Sequence, residues 1–162
     1  MKKEEKTNVM RVLDQKKAVY VSHCFIDLCT DEIATNGVEI ANLLGQDPDV
    51  VFKTLVTVGK TGQHYVFMVP VAKELDLKKA ASAVGEKSIE MIPQKELLPL
   101  TGYVHGGCSP IGMKKQFPTT VHESAKTYDR IVFSGGKIGY QVEMNISELE
   151  KTIRIKLADI IK

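Results

Sequence analysis

Residues 51–69 constrain this chain more than any other segment. Val51-Phe52-Lys53-Thr54-Leu55-Val56-Thr57-Val58 and His64-Tyr65-Val66-Phe67-Met68-Val69 flank Gly59-Lys60-Thr61-Gly62, two apolar runs around a turn sequence, which predicts a β-hairpin. Side chains alternate along a strand, so Val51 and Leu55 share the face of Lys53 while Phe52, Val56 and Val58 take the other. A strand apolar on both faces belongs in the middle of a covered sheet. That places Lys53 among apolar neighbours. There a charged amine is costly unless it meets an anion, shifts its pKa, or snorkels to water from the strand's end.

The second constraint is Thr101-Gly102-Tyr103-Val104-His105-Gly106-Gly107-Cys108-Ser109-Pro110-Ile111-Gly112, with four glycines and one proline in twelve residues. Such a composition suits neither helix nor strand. It suits a loop that brings backbone amides close to a ligand. Three chemical readings stand open: a phosphate nest, a Cys108 nucleophile helped by His105, and an oxyanion hole built from the amides of Gly106, Gly107 and Cys108, with Pro110 holding the turn. The spacing Gly-x-x-x-x-Gly-Lys-Ser/Thr of a nucleotide P-loop is absent. A loop with no ligand is the structural alternative. Ser134-Gly135-Gly136-Lys137 is a second glycine turn with a lysine, and alone it signifies only a hairpin.

Around these segments the periodicity predicts a helix over 8–17 capped by Thr7 or Asn8, a strand over 18–26, and a helix over 37–44 stopped by Gly45. It continues with a helix over 74–84 stopped by Gly85, a strand over 88–92 and a helical turn over 94–98. Strands follow over 119–122, 130–133 and 139–144, and a last helix runs to about Leu157 behind a Ser147/Glu150 capping box. Hairpins with interspersed helices make the class α/β or α+β, with a mixed sheet that could curl into a barrel.

At 162 residues with 43% hydrophobic and 26% charged residues, the expectation is one domain over 1–162. No apolar run approaches the roughly 20 residues of a membrane span, and the charged N-terminus is not a secretory leader. Three cysteines (Cys24, Cys29, Cys108) form no disulfide framework, which fits reduced thiols in a cytoplasm. His23, His64, His105 and His122 add metal-capable groups, but no Cys-x-x-Cys or His-Glu-x-x-His spacing occurs, so no metal or cofactor is expected. With aromatic content at 6% and no tryptophan, no stacking platform for single strands is visible.

Charge is uneven although the net is only +2. Residues 18–50 contain no Lys or Arg and six acids (Asp27, Asp31, Glu32, Glu39, Asp47, Asp49). Residues 101–140 carry Lys114, Lys115, Lys126, Arg130 and Lys137 against Glu123 and Asp129. Residues 1–17 likewise have a net charge of +3. The glycine loop therefore runs into a basic region suited to a phosphate-bearing partner, or to nothing more than a solvated face.

Phe52-Lys53-Thr54-Leu55, Leu75-Asp76-Leu77-Lys78-Lys79-Ala80, Thr101-Gly102-Tyr103 with Gly106-Gly107-Cys108-Ser109-Pro110-Ile111-Gly112, and Ser134-Gly135-Gly136-Lys137 occur in that order. Together, and with the opening Lys6-Thr7-Asn8-Val9-Met10-Arg11, they resemble the YbaK family of aminoacyl-tRNA deacylases, relatives of the editing domain inserted in bacterial prolyl-tRNA synthetases. The resemblance spans nearly the whole chain. It implies a mixed β-sheet curled into a small barrel with flanking helices, and hydrolysis of the ester joining a mischarged amino acid to transfer RNA, with Cys-tRNA(Pro) foremost and Ala-tRNA(Pro) or a non-catalytic binding role as alternatives.

For the site, the resemblance implies Lys53, Gly106, Gly107 and Ser109 in the reaction itself. Thr54, Thr101, Gly102, Cys108, Pro110, Ser134, Gly135 and Lys137 would contact substrate. Lys53 would meet the terminal adenosine's phosphate, and the loop would line the ester. The substrate's own thiol would attack the ester carbonyl, leaving a cyclic thioester and needing no protein nucleophile. Aminoacylated tRNA is the implied partner, with prolyl-tRNA synthetase a candidate. Two positions depart from the family pattern. Phe25, or else Tyr20, stands where relatives often have a tyrosine, and Gln141 stands where a pocket acid is sometimes found.

Overall fold

Two sheets meet at the N-terminal end of one strand, and the site follows from how they part. The computed structural model describes residues 6–28 and 36–162; Cys29, Asp31, Glu32 and the first five residues lie outside them. The strands are β1 (Val21–Cys24), β2 (Phe52–Gly59), β3 (His64–Pro70), β4 (Ile89–Met91), β5 (Thr119–His122), β6 (Ile131–Ser134), β7 (Tyr140–Met144) and β8 (Ile155–Ala158). The helices are α1 (Asn8–Gln15), α2 (Gly37–Leu43), α3 (Leu77–Val84), α4 (Leu97–Thr101) and α5 (Ile146–Thr152).

The hairpin of β2 and β3 forms in the expected register, Phe52 opposite Pro70 through Val58 opposite His64. Beyond β3 lie β5 and then β8, both parallel to their neighbours. On its other edge β2 pairs with β4 only over Thr57–Gly59. Near its start, Val51 forms a parallel bridge to Val132 of β6. Behind β6 come β7 and β1, in antiparallel order. The sheets are thus β4-β2-β3-β5-β8 and β1-β7-β6.

The class is a mixed α/β fold, but the barrel expectation is corrected: no sheet closes on itself among the described residues. A barrel needs continuous pairing around its circumference. Here β1 and β8 remain edges, and the bridge at Val51 is followed by a stretch of β2 that pairs on one side only.

Capping chemistry sets most helix ends. Thr7 Oγ1 accepts from Met10 N at 3.3 Å, and α1 buries Val9, Met10 and Leu13. The Asp76 carboxylate accepts from Lys78 N and Lys79 N, so α3 starts at Leu77 and not at Glu74, and it ends on Gly85 at φ 77°. The final segment is also corrected. Asn145 caps α5 by accepting from Ser147 N at 2.8 Å, two residues before the expected capping box. Ile155–Ala158 then leaves the helix to become β8. Parallel pairing with β5 outweighs a helix extension that would carry Ile153 and Ile155, both stiff at χ1.

His122, at the end of β5, holds the C-terminus in place. It is buried, and its Nδ1 accepts the N–H of Ile160 at 3.3 Å, which requires the neutral ring. Burial holds its pKa below the ordinary value and Lys79 pushes the same way, while Asp159, Glu123 and a backbone hydrogen bond with Ala158 pull it upward. A histidine pKa lower in the folded than in the unfolded chain adds stability above about pH 6.5, which is lost as pH falls through the folded value. Thermal melts are therefore expected to show Tm dropping between about pH 7.5 and pH 5, with a smaller drop in His122→Gln.

Candidate functional site

Between Val51, bridged to β6, and Val56, whose O accepts from Ile92 N at 3.3 Å beside the β4 ladder, the edge of β2 facing away from β3 has no ladder partner among the described residues. Every second residue of an antiparallel strand turns its N–H and C=O toward a given neighbour. Part of this backbone therefore faces into a split in the sheet. A cavity of about 300 Å³ occupies the split. Its walls are Val51, residues 52–56 of β2, the end of β6 (Phe133, Ser134), the start of β7 (Tyr140, Gln141), residues of the glycine loop, the segment around β4 and α4, Gly37 and Ile40 of α2, and Phe25.

Among the described residues, Lys53 is the one lining residue of the Asp, Glu, Lys and Arg types. It is half-buried, and its Nζ makes no hydrogen bond or ion pair with a described residue. Burial lowers its pKa, opposed by the charge of Glu74. Beside it, Thr54 Oγ1 is buried without a partner. A buried hydroxyl and a poorly solvated ammonium, both unpaired, carry an unmet polar cost that a bound anion would relieve.

The glycine loop is fastened from within. Thr101 Oγ1 donates to Leu97 O at 2.7 Å and accepts from Tyr103 N at 3.0 Å. The Tyr103 hydroxyl donates to Ile111 O at 2.5 Å, and Asn8 Nδ2 donates to Gly112 O at 3.1 Å. Gly107 lies against the backbone of the second glycine turn; a Cβ there would sit 3.0 Å from Ile138 N and 3.2 Å from Lys137 Cα. Gly106 has φ 88°, a conformation that favours glycine.

Of the residues expected from sequence, the cavity brings together Lys53, Thr54, Gly106, Cys108 and Ser134, with His105 beside them. The others shape the loops without lining the cavity. Gly107 spends its N–H on Val104 O at 2.9 Å. Ser109 is fully buried, and its Oγ accepts from Ile111 N at 3.4 Å. Thr101 and Gly102 end α4, Pro110 is buried, and Gly135 packs on Tyr140. Lys137 is exposed. The N–H groups of Gly106 and Cys108 make no hydrogen bond with a described residue. Both residues line the cavity, as does His105, whose N–H likewise bonds no described residue.

Cys108 is a poor nucleophile. Burial pushes its thiol up to about 12, against a lesser pull from the Thr101 hydroxyl, so almost no thiolate forms near neutrality. Phe25 is buried in the cavity wall, whereas the Tyr20 hydroxyl donates to Asp14 at 2.9 Å and is absent from the lining. Gln141 lines the cavity and exchanges two amide hydrogen bonds with Gln46, at 2.8 and 3.3 Å. Gln46 left no sequence signal, because it lies in a loop 95 residues away. Among the described residues no cluster of three His, Cys, Asp or Glu side chains could hold a metal ion, and no helix is long and apolar enough to cross a membrane.

The model of the aminoacyl-tRNA editing domain matches residues 30–152 of this chain. The chain belongs to the aminoacyl-tRNA editing domain family. This editing domain is 46% identical over 143 residues, 88% of its own length and 85% of the other's, to a protein of Enterococcus faecalis provisionally named Cys-tRNA(Pro)/Cys-tRNA(Cys) deacylase EbsC. It is 29% identical over 102 residues to a proline–tRNA ligase of Shouchella clausii, covering 63% of this chain but 18% of that enzyme. A solved structure described provisionally as a trans-editing enzyme for prolyl tRNA synthetase superposes with a TM-score of 0.80 at 25% identity, covering 96% of this chain and 95% of that one.

Proposed function

We propose that this editing domain deacylates mischarged tRNA in trans, with Cys-tRNA(Pro) as its substrate, in the cytoplasm and in the service of prolyl-tRNA synthetase. The observation that carries the reading is the unpaired, half-buried Lys53 in a cavity that, among the described residues, no Asp or Glu lines and that Gly106 and Cys108, with amides unbonded to described residues, line as well. An ammonium so placed suits a phosphate of the tRNA's terminal adenosine. The amides of Gly106 and Cys108 suit the oxyanion that forms on the ester carbonyl. The name carried by the E. faecalis relative favours cysteine among the amino acids.

In this mechanism the cysteinyl thiol, losing its proton, attacks its own ester carbonyl carbon. The carbonyl oxygen takes the negative charge and the two amides stabilise it. As the intermediate collapses, the bond from the carbonyl carbon to the ribose oxygen breaks. That oxygen takes up a proton, so tRNA leaves with its hydroxyl restored. The four-membered cyclic thioester then adds water and opens to free cysteine. Proximity within the substrate supplies rate that a protein nucleophile would otherwise provide. Thr54 and Ser134 offer hydroxyls to the substrate, and Gly102, Thr101, Gly107, Ser109, Pro110 and Gly135 hold the two loops in shape.

The test is to incubate the purified protein with tRNA(Pro) charged with cysteine, alanine or proline and follow loss of each ester. Cysteine is expected to leave at least about tenfold faster than proline. Turnover of alanine in place of cysteine would keep the deacylase and change its substrate. No turnover of any ester would overturn the reading and leave a protein that only binds charged tRNA.

A further inference from the structure

The split along β2 has two chemically different ends. At the Val56 end the cavity wall is made by Gln94, Leu97, His105 and Gly106, and Ile92 N–H donates to Val56 O. Each segment of this wall carries an exposed lysine. Lys95 follows Gln94 directly. Lys114 lies over α4, its Nζ donating to Pro99 O at 3.4 Å and its side chain 3.4 Å from the position a Cβ on Gly102 would take. Lys137 sits where the second glycine turn meets Gly107. Neither Lys95 nor Lys114 is in an ion pair with a described residue.

At the Val51 end the wall is α2 with the Gln46–Gln141 pair. Ala41 and Val38 of α2 pack there with Val50, Val51, Val71 and Val132. This end carries Glu39, Asp47 and Asp49, all exposed, and no Lys or Arg occurs between residues 18 and 50. The charge bias seen along the sequence thus sets three lysines, with exposed Glu96 beside Lys95, toward one end of the cavity and three acids toward the other, where Arg130 is held by Glu143.

We infer that the acceptor stem of the tRNA docks over the lysine end, with its phosphates against Lys95, Lys114 and Lys137, and is turned away from the α2 end by Glu39, Asp47 and Asp49. The inference rests on the deacylase reading for the identity of the ligand, and it adds the face and direction of approach. A duplex end presents closely spaced phosphates on both strands, so several lysines at one rim engage it together while acids at the other rim repel it. Only the unpaired 3′ end then has to cross the lysine rim and reach Lys53.

The experiment reads docking and chemistry separately. Docking is the Kd of an uncharged acceptor-stem RNA hairpin, measured across salt concentrations with the full chain. Chemistry is hydrolysis of Cys-tRNA(Pro) and of the small cysteinyl ester of adenosine. The double variant Lys95→Gln/Lys114→Gln is expected to weaken the hairpin about tenfold near 0.1 M salt and to reduce the slope of log Kd against log salt by about one for each lysine. Its KM for charged tRNA rises in step, and the small ester is hydrolysed at the wild-type rate. Asp47→Lys/Asp49→Lys, which replaces repulsion at the other rim with attraction, is expected to tighten the hairpin at least about threefold near 0.1 M salt.

An unchanged Kd and salt slope in the lysine variant would overturn the docking face, and an unchanged Kd in the aspartate variant would overturn the repulsion at the α2 end. A wild type that binds the hairpin but cleaves neither ester would overturn the deacylase reading and leave the docking result standing. Circular dichroism of both variants checks that the fold is retained.

Discussion

Lys53→Met is expected to lower kcat/KM for Cys-tRNA(Pro) at least about 100-fold while Tm stays level or rises by a few degrees. The two halves of this result share one cause. Burial lowers the lysine's pKa in the folded chain. The folded state therefore binds fewer protons at this site than the unfolded state. Keeping the amine charged in the fold therefore costs stability. Met fills similar space without the charge, so the cost disappears. What disappears with it is the cation that meets the phosphate, worth about 2–5 kcal/mol when desolvated. Because the phosphate is bound in both ground and transition states, most of the loss appears in KM. Lys53→Arg keeps the charge on a bulkier head and is expected to recover part of the activity. A lysine that merely snorkelled to water would give the opposite pattern: activity intact in Lys53→Met. Steady-state kinetics and a melt on the same preparation decide between them.

The second large effect concerns which thiol reacts. Replacing cysteine by serine on tRNA(Pro) is expected to slow deacylation at least about 100-fold, whereas Cys108→Ala keeps activity within about threefold. A free cysteine thiol ionises near pH 8.5 and yields a few per cent thiolate at neutrality, while a serine hydroxyl yields essentially none. The Cys108 thiol, pushed up to about 12 by burial, gives no comparable supply. The rate should rise with pH and level off as the substrate thiol ionises, with the same profile in wild type and Cys108→Ala. Loss of the buried sulfur is expected to lower stability by about 1 kcal/mol, read as a small drop in Tm. Abolished turnover in Cys108→Ala, or inhibition by thiol alkylation that the variant escapes, would move the nucleophile from substrate to protein. His105 lines the cavity too, so its substitution in the same series shows whether a base assists.

The secondary structure was legible wherever local chemistry decides it. Alternation of apolar residues marked the β2–β3 hairpin, Thr7 and Asn8 bracketed the start of α1, and Gly85 marked the end of α3. It failed where a distant partner decides. Ile155–Ala158 carries no signal for parallel pairing with β5, and without that partner the segment reads as the end of a helix. The starting points of α3 and α5 depended on which of several polar residues caps them, a choice settled by backbone geometry. The site showed the same division. Lys53 stood out because a charge amid apolar neighbours on a central strand needs an explanation. Gln46 did not, because nothing near it in the chain announces Gln141.

The sequence by itself determined that a lysine would sit in a covered central strand and that a glycine-rich loop would present backbone amides, because alternation and glycine content act over a few residues. It also determined an acidic stretch and a basic one. Only the tertiary structure decided that the lysine and the glycine loop line one cavity. The bridge at Val51–Val132 and the ladder at Thr57–Gly59 hold β2 at both ends and leave its middle unpaired on one edge. Through that opening Lys53 and Thr54 meet Gly106, Cys108 and Ser134. Long-range strand pairing created the opening, and no local pattern encodes where two sheets part.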